Sequence, residues 1–307
     1  MTLQQIRYAL LVADHGSASK AAAQLFVSQP SLTGSIKELE RELGISIFTR
    51  STRGMTPTAD GEEFLRYARQ VYQQYELLQQ RFDGSSDRKR KFGVSTQHYS
   101  FAVKAFVEMV KGFDTLRYEF AIRETETLNV IRDVGSLRSE IGILYLSDFN
   151  RKIMEKLLRD HGLSFHPLIE CDAHVYLWTG HPLAGERSIR FEQLMDYPCL
   201  SFEQGESETL FVEEEILGEK DYPRVIRASD RATMLNLMVG LNGYTLCSGI
   251  ISDELNGNAF CVVPFEADTE NRNAVMEIGY LVKKNAVLSE MGVAYLSEVR
   301  RFLGTGA

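Results

Sequence analysis

Between Thr58 and Asp83 the apolar residues Phe64, Ala68, Val71, Tyr75, Leu78 and Phe82 recur at spacings of 4, 3, 4, 3 and 4. That is the a/d stripe of a long amphipathic helix. About 25 residues at 1.5 Å each give a rod of roughly 38 Å, which cannot bury such a stripe against itself. The stripe requires a partner helix, with packing on the chain's own body as the alternative. It divides the 307 residues into a short N-terminal part and a long C-terminal one, as expected of a small module joined to a larger α/β body. With 44% hydrophobic and 25% charged residues, the chain is an ordinary globular one able to bury a sizeable core.

The N-terminal part opens with Leu3, Ile6, Leu10 and Ala13 on one helical face, ended by His15-Gly16. Ser17 or Ser19 is placed to cap a second, short helix whose Ala21, Ala22 and Leu25 offer a small packing surface. Ser28 caps a third. Gln29 and Pro30 fall in its first turn, Leu32, Ile36, Leu39 and Leu43 form its buried stripe, and Gly44 stops it. At about 100° per residue, that stripe turns Pro30, Gly34, Lys37 and Arg41 outward, with Ser31 and Thr33 on the flanks. Two short strands, Ile47 to Arg50 and Met55 to Pro57, then flank a turn that puts Arg53 at a hairpin tip. Charge follows the same division. The whole chain stands at −8, yet residues 1 to 91 hold 13 Lys+Arg against 10 Asp+Glu, leaving 21 against 32 for the rest. A local cationic surface can bind phosphate while an acidic body keeps the protein soluble.

Helix, short helix, turn, outward polar helix and basic wing make up the layout of a winged helix-turn-helix, whose third helix enters the major groove. The run AAAQLFVSQPSLTGSIKELERELGISIFTRSTRGMTPTADGEEFL resembles the DNA-binding signature of LysR-type transcriptional regulators, followed by that family's linker helix. The likeness covers residues 1 to about 85 and departs at Ile47-Phe48, where the family has Leu-Phe. It implies that Ser28, Gln29, Pro30, Ser31, Thr33, Gly34 and Lys37 face DNA, with Arg50, Arg53 and Thr56 on the wing. Gln29 is of a type that bonds adenine bidentately, worth about 1–3 kcal/mol of discrimination. Gly34 stands where many members place a polar or basic side chain. Either a contact is absent or the backbone comes closer to the duplex, and the glycine costs about 1 kcal/mol of helix propensity.

The resemblance further implies three parts. Residues 1–58 form a mostly α winged helix-turn-helix, and 59–91 a linker helix and hinge that dimerises the chain through the stripe above. Residues 92–307 form an α/β effector-binding domain like a periplasmic binding protein, with subdomain I at about 92–163 and 267–307 and subdomain II at about 164–266.

The body fits that layout. After DGSSDRKRK at 83–91, a hinge composition, strands at 92–96, 116–123 and 140–146 alternate with helices at 99–111 and 128–134. Further strands follow at 165–169, 174–179, 199–202, 224–228 and 244–248, with a helix at 231–240. Strands at 261–265 and 277–283 and a helix at 288–303 close the chain. Such alternation predicts parallel βαβ units. In VSTQHY, Ser95, Thr96 and Gln97 stand where a strand turns into a helix N-terminus, a group of donors suited to an anion. Thr125, Thr127 and Ser201 follow other strands and can converge on the same crevice. The resemblance places a small-molecule effector there. A subgroup of the family typified by regulators of sulfur metabolism carries a similar Thr-Gln pair, which points to a small anion. Ordinary helix capping is the alternative for each residue alone.

His98 reads as a capping or lining residue rather than a catalytic one. Glu213, Glu214 and Glu215, being consecutive, read as a solvated face rather than a metal site. Cys171, Cys199, Cys247 and Cys261 match neither a CxxC metal pair nor a dense disulfide frame, and read as small buried hydrophobes. No metal or cofactor is expected. Without a leader-like start or a run of about 18 apolar residues, the expected location is the cytoplasm, away from membranes. The expected function is that of a DNA-binding transcriptional regulator, a homodimer or homotetramer. Its partners are double-stranded DNA, a small effector and, at a promoter, RNA polymerase. An enzyme with a DNA-binding head is one rival, but GxxxxGK[ST], GxSxG and HExxH are all absent. A constitutive architectural protein without an effector is the other.

Overall fold

The computed structural model describes residues 1–51, 54–82, 89–113, 117–205, 210–218, 220–251, 257–267 and 274–305. The chain divides into two compact units, Met1–Ser86 and Asp87–Ala307.

In the first unit α1 (Leu3–His15) starts on a reciprocal cap between Thr2 and Gln5 and ends at Gly16 in the left-handed region. Ser17 caps α2 (Ala18–Leu25) and Ser28 caps α3 (Gln29–Leu43), which Gly44 closes. The Glu40 carboxylate then accepts both amides that open the wing, from Ile47 at 2.7 Å and from Phe48 at 3.1 Å. The wing is β1 (Phe48–Ser51) antiparallel to β2 (Gly54–Pro57). It hangs on the end of α1, because the Met55 amide donates to the Gly16 carbonyl. Gly54, at φ 126°, lies so near that a Cβ would stand 2.4 Å from the same oxygen. Leu32, Ile36 and Leu39 pack with Ile6, Ile47 and Leu65 in one core, each such side chain contributing about 1.5–3 kcal/mol on full burial. This burial decides which face of α3 meets water.

The helix α4 (Ala59–Phe82) starts on Thr58, whose hydroxyl accepts from the Gly61 amide at 2.8 Å. Its first turns join the same core through Leu65 and Ala68, with Phe64 and Tyr72 at the rim. The expected partner-facing stripe is corrected at Ala68, which packs inside the unit, because a helix leaving a domain buries its first turns on that domain. Further along, Val71 is 49% and Leu78 58% exposed, and Tyr75 is half-buried. The Phe82 side chain lies outside the described residues.

The second unit has two lobes. Lobe one holds β3 (Arg90–Thr96), β4 (Tyr118–Glu124), β5 (Ile141–Leu146), β6 (Leu163–Asp172) and β12 (Val275–Lys283) in the order β4-β3-β5-β12-β6. With them go α5 (Ser100–Lys111), α6 (Thr127–Gly135), α7 (Arg151–Asp160) and α10 (Glu290–Leu303). Strands β4, β3 and β5 are parallel as predicted, but β12 returns antiparallel to both neighbours, so the sheet is mixed. No counterpart of α7 is read in the sequence, since only Met154 and Leu158 are buried along an otherwise charged helix.

Lobe two places β7 (His174–Trp178) between β10 (Thr245–Cys247) and β11 (Phe260–Pro264). It adds the parallel pair β8 (Cys199–Phe202) and β9 (Val225–Ala228), with α8 (Phe191–Leu194) and α9 (Arg231–Leu241). The lobes meet at Ala173, whose amide donates to Ala274 and whose carbonyl accepts from Phe265. The first crossing therefore falls after Asp172, not near residue 164, because β6 stays paired with β12 from Leu163 to Asp172. Pro167 is tolerated in that strand because β6 is the sheet edge and its register shifts beside the proline.

Candidate DNA-binding face and effector crevice

With Leu32, Ile36 and Leu39 held in the core, α3 exposes Gln29, Pro30, Ser31, Gly34, Lys37 and Arg41, next to an exposed Ser28. Thr33 departs from the expected set: it is half-buried, and its hydroxyl is enclosed without a hydrogen-bond partner. A Cβ on Gly34 would meet nothing within 4 Å. On the wing Thr56 is exposed and Arg50 is paired through its backbone with Met55, whereas Arg53 lies outside the described residues. Hydroxyls and an amide at a helix N-terminus, with cations further along the same face, suit phosphate oxygens and base edges.

In the second unit, residues just after β3 and β4 of lobe one meet residues at and after β8 of lobe two: His98 stacks on Phe202, and the Thr127 amide donates to Gln204. Ser95 is not available to a ligand, since its buried hydroxyl donates to Asp133 at 2.6 Å and lies 2.8 Å from that of Ser139. Gln97 is held by three side-chain bonds. Its amide nitrogen donates to the Thr127 hydroxyl at 2.7 Å, and its oxygen accepts from the Tyr99 hydroxyl and the Tyr145 amide. Thr125 donates its amide to the Thr96 carbonyl, and its hydroxyl accepts from Asn129. Thr96 is fully buried, and its hydroxyl has no partner. Ser201 lines a separate cavity of about 240 Å³ with Cys199, Lys220, Tyr222 and Arg227.

The crevice itself is a cavity of about 70 Å³ lined by His98, Tyr176, Phe202, Glu214 and Arg231 among others. Glu214 accepts from the His98 amide and stands 2.8 Å from the ring Nδ1, while the ring stacks on Phe202 at 3.6 Å. Glu215 accepts from the Phe202 amide at 2.8 Å. Burial first, and then the neighbouring Glu214 charge, hold the Glu215 carboxyl well above the usual carboxylate range. The solvated acidic face expected here is therefore corrected: Glu214 and Glu215 are buried, because the turn at 213–218 folds inward between the lobes. Burial pushes the Tyr176 phenol up to about 12, and its hydroxyl has no partner. Arg231 pairs with Glu124 from the opposite lobe. Sequence reading missed Tyr176, Arg231 and Glu124, for which no local motif exists.

Burial also pushes the thiols of Cys171, Cys199 and Cys247 up to about 12 and raises that of Cys261. All four are free, and their burial disfavours the thiolate form. Among the described residues, no group of three or more His, Cys, Asp or Glu could hold a metal ion, and no helix is long and apolar enough to cross a membrane.

A winged helix-turn-helix followed by a two-lobed α/β body defines a class of DNA-binding proteins with a ligand-binding domain. Residues 3–62 match the family of bacterial regulatory helix-turn-helix proteins of the lysR type, and residues 116–301 match the LysR substrate binding domain. The chain belongs to the LysR family of transcriptional regulators, whose members bind DNA and are regulators rather than enzymes. The regulator AlsR of Bacillus subtilis is 27% identical over 217 residues, which are 69% of this chain and 68% of that protein. The RuBisCO operon transcriptional regulator of Allochromatium vinosum is 25% identical over 208 residues, 67% of this chain and 65% of that one. Among solved structures, a full-length OxyR variant from Pseudomonas aeruginosa has a TM-score of 0.68 at 19% identity, covering 100% of this chain and 96% of that one. CbnR in complex with its target DNA has 0.56 at 16%, covering 98% and 100%. At these identities the structural likeness speaks for the fold alone.

Proposed function

We propose that the chain reads a promoter site through α3 and the wing, pairs with a second copy through the exposed part of α4, and answers to a small anionic metabolite in the lobe crevice. In this reading residues 1–58 are the DNA-binding head, 59–91 the dimerising linker and hinge, and 92–307 the effector-binding body, in a dimer or tetramer. The protein works in the cytoplasm and meets RNA polymerase at the promoter. The observation that supports it best is the outward face of α3, where Ser28, Gln29, Ser31 and Lys37 are exposed on a helix whose other face is fixed in a core. Ligand binding between lobes hinged at Ala173 biases their angle and with it the spacing of paired heads, a population shift rather than a new contact with DNA.

The test is fluorescence anisotropy with fragments of the native upstream region at several salt concentrations. Lys37→Ala should weaken binding to every sequence and flatten the salt slope by about one unit, whereas Gln29→Ala should relax preference at one base pair. Identical behaviour of the two variants, or no binding to any upstream fragment at low salt, would sink the assignment.

A further inference from the structure

Two helix starts of lobe one receive side chains from lobe two. Gln204 accepts from the Thr127 amide at the start of α6, and Glu214 accepts from the His98 amide just before α5. Only Glu214 brings a charge, and the site is nearly sealed, with the His98 side chain 8% and that of Glu214 6% exposed.

The segment that supplies Glu214 is a strap rather than part of a sheet. Among its described residues, 210–218, the one regular element is a single helical turn at Leu210–Val212. Val212 packs among Met154 and Leu158 of lobe one, and the Tyr145 hydroxyl donates to the Glu213 and Glu215 carbonyls. From the same strap, Glu215 binds the Phe202 amide of lobe two. Meanwhile two polar atoms that line this cavity, the Tyr176 hydroxyl and Glu215 Oε2, lack hydrogen-bond partners, each on a residue more than nine-tenths buried. Tyr176 lines the crevice beside His98 and Glu214, and Met234, Leu235, Ile250 and Ile251 give the same cavity an apolar wall. Carboxylate acceptor, unanswered hydroxyl and apolar wall together fit a small organic acid.

We propose that Glu214 is a tethered surrogate for the effector: a small carboxylate with a short apolar body takes its place on His98, bonds the Tyr176 hydroxyl, and releases the strap. This rests on reading the crevice as the effector site. Replacing one carboxylate by another leaves the charge of the site unchanged, so the nearby Glu215 and Glu124 do not oppose the exchange. Affinity is then set by competition with an internal group, which raises the ligand concentration needed.

The experiment uses the full chain as wild type, Glu214→Ala and the isosteric Glu214→Gln. Each is titrated with sodium propionate against sodium chloride of equal ionic strength, and followed by thermal shift and by footprinting on upstream DNA. Half-maximal stabilisation of Glu214→Ala should need a propionate concentration about tenfold or more below that of wild type, with Glu214→Gln in between. Should Glu214→Ala fail to fold, the glutamine variant makes the same comparison. Propionate acting equally on all three, or on none, overturns the proposal. If propionate fails while another metabolite alters the wild-type footprint, the surrogate is lost and the effector crevice remains. If propionate stabilises Glu214→Ala selectively but no footprint ever changes, the surrogate stands and the regulatory reading falls.

Discussion

Arg231 at the start of α9 pairs with Glu124 at the end of β4, tying the two lobes together across the crevice. Each side chain is about one quarter exposed, between the surface and fully buried cases. Arg231→Ala leaves Glu124 without its cation and should lower stability by about 1–2 kcal/mol. Urea unfolding gives the loss, and small-angle scattering of the full chain should report a wider spread of lobe angles. An unchanged urea midpoint would mean that the pair does not hold the lobes.

The head was legible because its determinants are local. Caps at Ser17 and Ser28, a stop at Gly44 and the Leu32, Ile36, Leu39 stripe all act within a few residues, and the structure has each of them. Where the reading went astray, the deciding partner is distant in sequence. Ser95 has the chemistry of a ligand group, but Asp133 and Ser139 claim its hydroxyl. The acidic run at 213–215 resembles a solvated surface, but the amide of His98, 116 positions earlier, donates to a buried Glu214. The antiparallel return of β12 and the late crossing after Asp172 are likewise set by pairing that no local pattern reveals. In α4 the helix is present over Ala59–Phe82. What periodicity cannot say is which turns face the chain's own head.

Glu215 makes stability depend on pH. Its carboxyl is raised in the folded chain, chiefly by burial and next by Glu214, while the Phe202 amide opposes the shift. The folded state therefore holds this proton more tightly than the unfolded state. Its contribution is fully present below the unfolded value near 4.5 and is lost as pH rises through the folded value. Glu215→Gln keeps the shape without the proton and should remove a slope of at most about 1.4 kcal/mol per pH unit, making the variant more stable than wild type on the alkaline side. Denaturation midpoints across a pH series test this, and parallel curves for the two proteins would refute it.

The two halves of α4 should respond differently to charge. Leu78→Glu falls on an exposed position and should leave the head folded while shifting the molar mass in light scattering toward the monomer. Ala68→Glu places a carboxylate in the head core and should cost several kcal/mol, seen as loss of the thermal transition of the head. A Leu78→Glu protein of unaltered mass would show that assembly does not use this face.

Gly34 sits on the outward stripe of α3 between Pro30 and Lys37, with space for a side chain that the fold leaves empty. An alanine there meets no clash and gains helix propensity, so Gly34→Ala should raise stability by about 1 kcal/mol. Stability alone therefore does not account for the glycine. If its role is to let the helix backbone approach the duplex closely, the added methyl should lower affinity for upstream DNA about tenfold while raising the melting temperature, the trade expected at a functional surface. Anisotropy titrations beside a thermal melt read both effects in one variant. A higher melting temperature with unaltered affinity would show that the glycine marks only an absent contact.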